Sequence, residues 1–190
     1  MSEGEMDKQT VRERMREKRQ NLTSKDIEEA SAAVYETALG LPAVKKAGKL
    51  LLYSHFDNEI KTAALTGWLL YQGKEVYLPA IARKNMYAIN IKNGRLEMSK
   101  FGMAQPRPDS GKAQDPAGLD VVIVPGIAFD REMNRLGFGF GYYDSFLAKA
   151  KKAVKIALAY DFQVVESIPA EAHDIKMDMI ITPDGVIKKT

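Results

Sequence analysis

Residues 134–144 (NRLGFGFGYYD) bring together residue types that suit phosphate binding. Gly137, Gly139 and Gly141 can take positive φ and leave room for a ligand against main-chain N–H groups. Arg135 can grip a phosphate through two parallel hydrogen bonds, and as a loop residue facing phosphate it is expected to pack little. The stretch is therefore predicted to form a phosphate-binding loop. Glycine spacing alone fits equally well a tight turn that packs a strand against a helix.

The elements on either side of this loop favour the phosphate interpretation. The apolar run at residues 121–124 predicts a strand buried on both faces, closed by Pro125 and Gly126. A helix is predicted over residues 142–152, with its lysines gathered in the last turn. The first turn of that helix would add N–H donors without internal partners and the positive end of the helix dipole.

Other charged residues could complete such a site. Lys8 and Arg12 share one face of a charged helix predicted over residues 6–20 and could clamp a polyphosphate, although a solvated face rich in ion pairs is the alternative. Glu59 lies at the carboxyl end of a predicted strand, where ligands enter α/β sheets. The alternative is that Glu59 is an acid in the first turn of the next helix, where it complements the helix dipole. Asp144 and Asp174 are hard carboxylates that suit Mg²⁺, and each taken singly also fits a capping or surface role.

Composition excludes several other chemistries. The 190 residues include no cysteine, which excludes disulfides and thiolate chemistry. His55 and His173 lack zinc-ligand spacing, and no P-loop or G-x-S-x-G motif is present. With 45% hydrophobic and 28% charged residues, no membrane-length apolar run and a polar amino terminus, we expect a cytoplasmic protein.

Apolar periodicity predicts one α/β domain over residues 1–190, with three layers, a mostly parallel sheet and helices on both faces. The predicted strands are residues 50–53, 76–79, 121–124, 156–160 and 179–181. The predicted helices include residues 23–40 before the first strand and residues 60–71 after it, the latter capped by Asn58. A hairpin insertion is predicted across Asn93 and Gly94, joining residues 87–91 to 95–98. Residues 101–118 are predicted as a long loop.

Several ordered motifs resemble those of the 5-formyltetrahydrofolate cyclo-ligase family, also called methenyltetrahydrofolate synthetases. The resemblance rests mainly on residues 125–130 (PGIAFD), residues 134–144 and the pair Phe146 and Leu147. Further matches extend over nearly the whole chain: Lys8 with Arg12, Asn58, Glu59 and Ile60 with Thr62, Phe101 and Gly102 with Pro106, and His173 with Asp174. The chain departs from the family at Met133, where glycine is frequent, and at Phe138, Phe140, Gln105 and Lys61.

The resemblance implies an enzyme that uses ATP and Mg²⁺ to convert 5-formyltetrahydrofolate to 5,10-methenyltetrahydrofolate, with release of ADP and phosphate. It implies that Arg135 and Lys8 are catalytic and that Asp144 and Asp174 hold Mg²⁺. The implied ATP-binding residues are Lys8, Arg12, Asn134, Arg135, Leu136, Gly137, Phe138, Gly139, Phe140, Gly141 and Tyr142. The implied folate-binding residues are Ser54, Phe56, Glu59, Tyr142 and Tyr143, with Glu59 on the donor edge of the pterin and an aromatic ring against its face.

Two alternatives remain open. One is a basic nucleotide- or RNA-binding module without catalysis, favoured by a pI of about 8.9 and the Lys/Arg-rich first helix. The formal net charge of only +3 makes nucleic acid the less favoured partner. The other is a family member that binds folate without turning it over. The sequence does not indicate an oligomeric state.

Overall fold

The computed structural model describes residues 7–92, 96–99, 103–108, 113–171 and 173–189. Within these ranges the helices are α1 (Lys8–Gln20), α2 (Ser24–Gly40), α3 (Pro42–Lys46), α4 (Ala63–Tyr71) and α5 (Tyr142–Leu147). The strands are β1 (Lys49–Leu51), β2 (Glu75–Ala82), β3 (Asn85–Asn90), β4 (Leu96–Met98), β5 (Ala104–Pro106), β6 (Ala113–Gln114), β7 (Val121–Val124), β8 (Ala128–Asp130), β9 (Arg135–Leu136), β10 (Val154–Leu158), β11 (Val164–Val165), β12 (Met179–Thr182) and β13 (Gly185–Lys188). No helix in this part of the chain combines the length and apolar character needed to cross a membrane.

The largest sheet has the strand order β13-β12-β10-β7-β1-β2-β3-β6 among the described residues. Its central strands, from β12 to β2, are parallel to their neighbours. β13, β3 and β6 pair in antiparallel fashion at the two sides. The predicted mostly parallel sheet is therefore confirmed.

Alternate residues of the central strands face two separate hydrophobic clusters. Leu50 and Ile123 pack in one cluster with Val34 of α2 and Leu69 of α4. Leu51, Val122 and Val124 pack in the other cluster with Phe146 and Leu147 of α5. All four residues of β7 are buried, as expected for a continuous apolar strand covered on both faces.

A smaller sheet, β11-β8-β9, supports helix α1. Val11 and Met15 of α1 are buried against Ala128 of β8 and Leu136 of β9. The side chain of Asp7 caps the helix by accepting from the main-chain N–H groups of residues 9 and 10. This packing fixes the position of α1 relative to the glycine-rich segment that follows β9.

Two predicted helix boundaries are wrong. The helix predicted from residue 60 begins at Ala63, because Asn58 does not cap it: Asn58 has φ +56° and its side chain donates to the Arg19 carbonyl. The helix predicted over residues 142–152 ends at Leu147, so its lysines lie in the turns that follow.

The predicted hairpin also differs from the observed pairing. Asn93 and Gly94 lie outside the described residues, but β3 pairs with β2 and β6, whereas β4 pairs with β5. The observed hairpin turn is Arg83 and Lys84, with φ of +48° and +63°. The stretch predicted as a loop over residues 101–118 contains β5, β6 and a 3₁₀ turn at Pro116–Gly118.

The turn between β2 and β3 yields a stability prediction. A two-residue turn with positive φ at both positions favours glycine, because a Cβ is strained there. Lys84→Gly should therefore raise the free energy of unfolding by about 0.5–1 kcal/mol and Tm by roughly 1–4 °C, measured by thermal and urea unfolding. Lys84→Ala removes the same charge but keeps the Cβ and should not stabilise; equal Tm changes in both variants would contradict the explanation.

Candidate active site

The candidate site lies at the carboxyl edge of the central strands, where the strand order reverses. β1 and β7 are parallel neighbours, but β1 leads to β2 on one side and β7 leads to β10 on the other. Segments that leave such a pair diverge and open a crevice. The two segments are residues 52–62, which carry Glu59, and residues 125–141, which carry the glycine loop, defined here as residues 137–141.

The three glycines of the loop have two different roles. Gly139 and Gly141 have φ of +95° and +69°, and Gly141 is the N-cap of α5. Gly137 does not have positive φ, so that expectation is wrong at this position. A Cβ at Gly137 would lie 2.7 Å from Nη1 of Arg135, so the missing side chain makes room for the guanidinium group.

A buried carboxylate fixes the turn from which the loop emerges. Asp130 Oδ1 accepts from the Asn134 main-chain N–H at 2.9 Å, and Oδ2 accepts from Asn134 Nδ2 at 2.8 Å and from the Ile168 N–H at 3.0 Å. Met133 in this turn has φ +67° and a buried side chain. Glycine would adopt this backbone conformation without strain. Asp130 thus engages the main-chain N–H, the main-chain carbonyl and the side-chain Nδ2 of Asn134, and only the buried Oδ1 of Asn134 has no partner among the described residues.

Arg135 and Asp144 contact each other. Arg135 Nη2 lies 2.9 Å from both carboxylate oxygens of Asp144, and Nη1 donates to the Pro125 carbonyl at 3.3 Å. Only 4% of the Arg135 side chain is exposed, so the expectation that it packs little is wrong. Its guanidinium carbon lies 5.7 Å from the centre of the Tyr143 ring. Nε of Arg135 has no hydrogen-bond partner among the described residues, which leaves one buried donor unused.

Helix α1 brings the predicted basic pair to the loop. Arg12 Nε donates to the Gly137 carbonyl at 3.1 Å. Lys8 Nζ lies 2.7 Å from Glu171 Oε1 and 3.5 Å from Asp174 Oδ2. The hydrogen bond to Glu171 raises the pKa of the Lys8 ammonium group, and partial burial opposes this rise. The two cations share one helix face, and both contact the segments around the candidate site.

The two predicted metal-binding carboxylates are close to one short segment. The Ile175 N–H donates to Asp144 Oδ1 at 3.4 Å, and Oδ2 of its neighbour Asp174 accepts from the Glu171 N–H at 2.8 Å. The described residues contain no group of three or more His, Cys, Asp or Glu side chains that could hold a metal ion. A pair of carboxylates nonetheless fits Mg²⁺, which commonly takes one or two protein oxygens and completes its shell with phosphate and water.

Glu59 is buried on the other side of the crevice. Its Oε2 accepts from the Phe56 N–H at 3.0 Å, and its Oε1 lies 3.8 Å from Nη1 of Arg19. Burial raises the pKa of Glu59 to about 7, while Arg19 and the Phe56 N–H oppose the rise and Asp57 adds to it. The carboxyl group can therefore change its protonation state near neutral pH.

The aromatic residues predicted to contact folate differ in accessibility. The hydroxyl group of Tyr143 is buried without a hydrogen-bond partner among the described residues, and burial and the nearby Glu59 raise its pKa. Tyr142 is half-buried and stacks on the exposed Phe140, with ring centres 6.0 Å apart. Phe56 is exposed and Ser54 is half-buried. Tyr142 and Phe56 are thus better placed than Tyr143 to cover a bound ring.

Two further predicted ATP-binding residues have different surroundings. The Leu136 side chain is buried against α1, and its carbonyl accepts from the Ile127 N–H at 2.8 Å, so neither group is available to a nucleotide. Phe138 lies in the loop with 40% of its surface exposed. A groove bounded by Arg131, Asp161 and Asp184 contains none of the predicted site residues and is not part of the candidate site.

Sequence reasoning missed Arg19 and Asp57. Arg19 is buried, and its Nη2 donates to Asp57 Oδ2 at 2.8 Å. A signal for Arg19 is present in the sequence, because Val11, Met15 and Arg19 follow one another at four-residue spacing and so form one helix stripe. A charged residue that continues an apolar stripe indicates a buried ion pair.

Comparison with known proteins gives consistent matches. The chain matches the 5-formyltetrahydrofolate cyclo-ligase family over residues 5–183. It is 32% identical to the 5-formyltetrahydrofolate cyclo-ligase of Haemophilus influenzae, covering 90% of this chain and 94% of that protein. It is 31% identical to the enzyme of the same name from Escherichia coli K12, with 90% and 98% coverage. The solved structure of Aquifex aeolicus 5,10-methenyltetrahydrofolate synthetase is 34% identical and superposes with a TM-score of 0.85, covering 96% of this chain and 93% of that one.

The hydrogen bonds of Asp130 yield a prediction about the support of the loop. Asp130→Asn replaces an acceptor by an NH₂ group facing N–H donors, so at least one buried donor loses its partner. We expect the free energy of unfolding to fall by about 2–4 kcal/mol and Tm to fall by roughly 5–15 °C, measured by urea and thermal unfolding. Glu132→Gln is the matched control, because Glu132 is exposed in the same turn. Similar losses in both variants would show that Asp130 has no special role.

Proposed function

Because the chain belongs to the 5-formyltetrahydrofolate cyclo-ligase family, we propose that it cyclises 5-formyltetrahydrofolate to 5,10-methenyltetrahydrofolate. In the proposed reaction, ATP is converted to ADP and phosphate. The observation that carries the proposal is the position of helix α1. Its Arg12 contacts the glycine loop, and its Arg19 contacts the segment that presents Glu59. One helix thus joins a phosphate-binding loop to a pocket with a buried carboxyl group.

The nucleotide end of the site would use charges and main-chain groups. Lys8, Arg12 and Arg135 supply cations around a loop in which Gly139 and Gly141 have positive φ. Arg135 is buried and held by Asp144, so its charge is fixed in place before the substrate arrives. A charge that needs no reorientation during the reaction stabilises a phosphoryl-transfer transition state most effectively.

The proposed chemistry needs alignment more than a protein nucleophile. The formyl oxygen of the substrate attacks the γ-phosphorus of ATP, the bond from that phosphorus to the β–γ bridging oxygen breaks, and ADP leaves. N10 of the folate then adds to the activated one-carbon centre and loses its proton. The carbon–oxygen bond breaks, and phosphate departs with the former formyl oxygen and takes up that proton. An amide-like oxygen is a poor leaving group until it is phosphorylated. The chain's contribution is to hold both substrates in line and to neutralise charge.

Asp144 and Asp174 would hold Mg²⁺, directly or through water. Bound beside the triphosphate, Mg²⁺ would neutralise phosphate charge, which supports in-line transfer. Both carboxylates lie at the phosphate side of the crevice: Asp144 is paired with Arg135, and Asp174 with Lys8. Their hard oxygen atoms suit this ion.

The folate end would use Glu59 and the aromatic residues. An ionised Glu59 would accept hydrogen bonds from the donor edge of the pterin, and Oε1 is the oxygen without a hydrogen bond from the described residues. Phe56 or Tyr142 would cover the ring, and Ser54 lies on the same segment as Phe56. Tyr143 would form the wall of the pocket. The cytoplasmic location remains a prediction from composition.

The proposal predicts a requirement for both ATP and a divalent ion. With 5-formyltetrahydrofolate, ATP and Mg²⁺, ultraviolet absorbance should report methenyltetrahydrofolate, and ADP should form in equal amount. Omitting ATP or adding EDTA should abolish product formation, because none of the described side chains offers another route to activating the formyl oxygen. Product at the same rate without nucleotide would refute the mechanism. Nucleotide or folate binding without any product would instead indicate a non-catalytic member of the family.

The assignment of Asp144 predicts a change in Mg²⁺ dependence. Asp144→Asn keeps the size of the side chain but removes the charge that a hard cation requires. At saturating ATP, the Mg²⁺ concentration giving half-maximal rate should rise roughly tenfold or more, with slower turnover. Asp174→Asn should shift the midpoint in the same direction.

The control for this experiment is Asp120→Asn. Asp120 is a carboxylate that accepts main-chain hydrogen bonds from Gly48 and Lys49 at the opposite, amino-terminal edge of the sheet. Its variant should keep the Mg²⁺ midpoint of the wild type, provided that a thermal melt shows it folded. An unchanged midpoint and near-normal rate in Asp144→Asn would remove Asp144 from the metal site.

A further inference from the structure

Arg19 is a buried cation at the end of α1. Only 3% of its side chain is exposed. Among the described residues, Nε and Nη1 of Arg19 have no hydrogen-bond partner, so its burial is only partly compensated. Burying a charge with incomplete pairing costs stability.

The contacts of Arg19 converge on the turn that precedes Glu59. Nη2 donates to Asp57 Oδ2 at 2.8 Å, and the Arg19 carbonyl accepts from Asn58 Nδ2 at 3.0 Å. Asp57 and Asn58 both have positive φ, at +49° and +56°, a conformation that needs support from outside the turn. Tyr160 adds to this support by donating from its hydroxyl group to the Asn58 carbonyl at 2.9 Å. Arg19 therefore holds this strained turn through both its side chain and its main chain.

The contact between Arg19 and Glu59 is an ion pair without a hydrogen bond. Nη1 lies 3.8 Å from Oε1, while the Phe56 N–H donates to Oε2. At this distance the guanidinium favours the charged form of the carboxyl group by electrostatic attraction. It does not occupy the hydrogen-bonding capacity of Oε1, which remains available to a ligand.

The surroundings of Glu59 make this charge important. Tyr53 after β1, Tyr143 of α5 and Tyr160 after β10 are buried or half-buried around it, and Asp57 precedes it on the same segment. Burial and Asp57 raise the pKa of Glu59, and Arg19 makes the largest contribution that lowers it. Without Arg19, the pKa of Glu59 would rise further, and the protonated carboxyl group has fewer acceptor sites for adjacent N–H donors than the carboxylate.

We propose that Arg19 is a positioning residue that holds the Glu59 carboxylate in place and in its charged form for the N–H donor edge of the folate. The proposal rests on the proposed function and specifies how the same site recognises its substrate. Arg19 acts through Glu59 and the turn before it, whereas Lys8 and Arg12 on the same helix serve the phosphate side.

The test compares Arg19→Gln and Arg19→Lys with Arg16→Gln. Arg16 is an exposed arginine of the same helix, so its variant controls for the loss of one positive charge. For the wild type, kcat/KM for 5-formyltetrahydrofolate should rise with pH through about 7, because that parameter reports the free enzyme. In Arg19→Gln this midpoint should move to higher pH, and kcat/KM for the folate at neutral pH should fall roughly tenfold or more.

Two features separate this role from simple support of the fold. KM for ATP should change much less than KM for the folate, and Arg19→Lys should restore part of the folate affinity and of the pH midpoint because it restores the charge. Arg16→Gln should match the wild type. Equal losses for ATP and folate, or a wild-type pH profile in Arg19→Gln, would overturn the proposal. If Arg19→Gln does not fold, Arg19→Met, which lacks the charge, is compared with Arg19→Lys, which keeps it. The same wild-type pH dependence of kcat/KM in both variants would overturn the proposal.

A measurement without turnover distinguishes failure of this inference from failure of the proposed function. The Glu59 carboxyl group can be titrated by NMR with ¹³C-labelled glutamate, using Glu59→Gln to assign the signal. Its titration midpoint should be higher in Arg19→Gln than in the wild type, whether or not the protein makes methenyl product. Absence of product from the wild type would refute the proposed function alone. Identical midpoints would refute the role of Arg19 alone.

Discussion

The burial of one stripe of α1 against the small sheet is the constraint on which the site depends. Val11 and Met15 pack on β8 and β9, and this fixes the faces of the helix that carry Lys8, Arg12 and Arg19. An isolated helix of this length is marginally stable in water, so tertiary packing supplies most of its order. The cations of both halves of the site are therefore positioned by one hydrophobic contact, and losing that contact would affect nucleotide and folate together.

The reversal of strand order between β1 and β7 explains why the two halves face each other. The segment after β7 becomes the glycine loop, and the segment after β1 becomes the turn before Glu59. These segments belong to different parts of the chain, and their ends are fixed by neighbouring parallel strands. Rigid strands thus set the distance across the crevice, while the loops provide the chemical groups.

The central parallel strands of the sheet and the family were predictable from the sequence because apolar runs and ordered motifs are local signals, whereas the edge strands β6 and β13 were not predicted. The hairpin at Asn93 and Gly94 was predicted from turn propensity, but β2 pairs with β3 across Arg83 and Lys84, which lack that propensity. The buried state of Arg135 could not be predicted, because it depends on Asp144 and the Pro125 carbonyl. Asn58 likewise looked like a helix cap but is engaged by Arg19, a tertiary contact that single-sequence reasoning does not detect.

Three of the four cations described around the site have an anionic partner in the folded chain: Lys8 has Glu171, Arg135 has Asp144 and Arg19 has Asp57. The fourth, Arg12, donates to the Gly137 carbonyl. An anion that pairs with Lys8 or Arg135 therefore competes with these carboxylates for the cation instead of meeting a free positive charge. Its affinity is the difference between the new ion pairs and the old ones, so a singly charged anion gains little even if it fits the loop. A ligand with several charges, accompanied by a metal ion that Asp144 and Asp174 would hold, would gain more. The protein thereby discriminates among anions by their charge as well as by their shape.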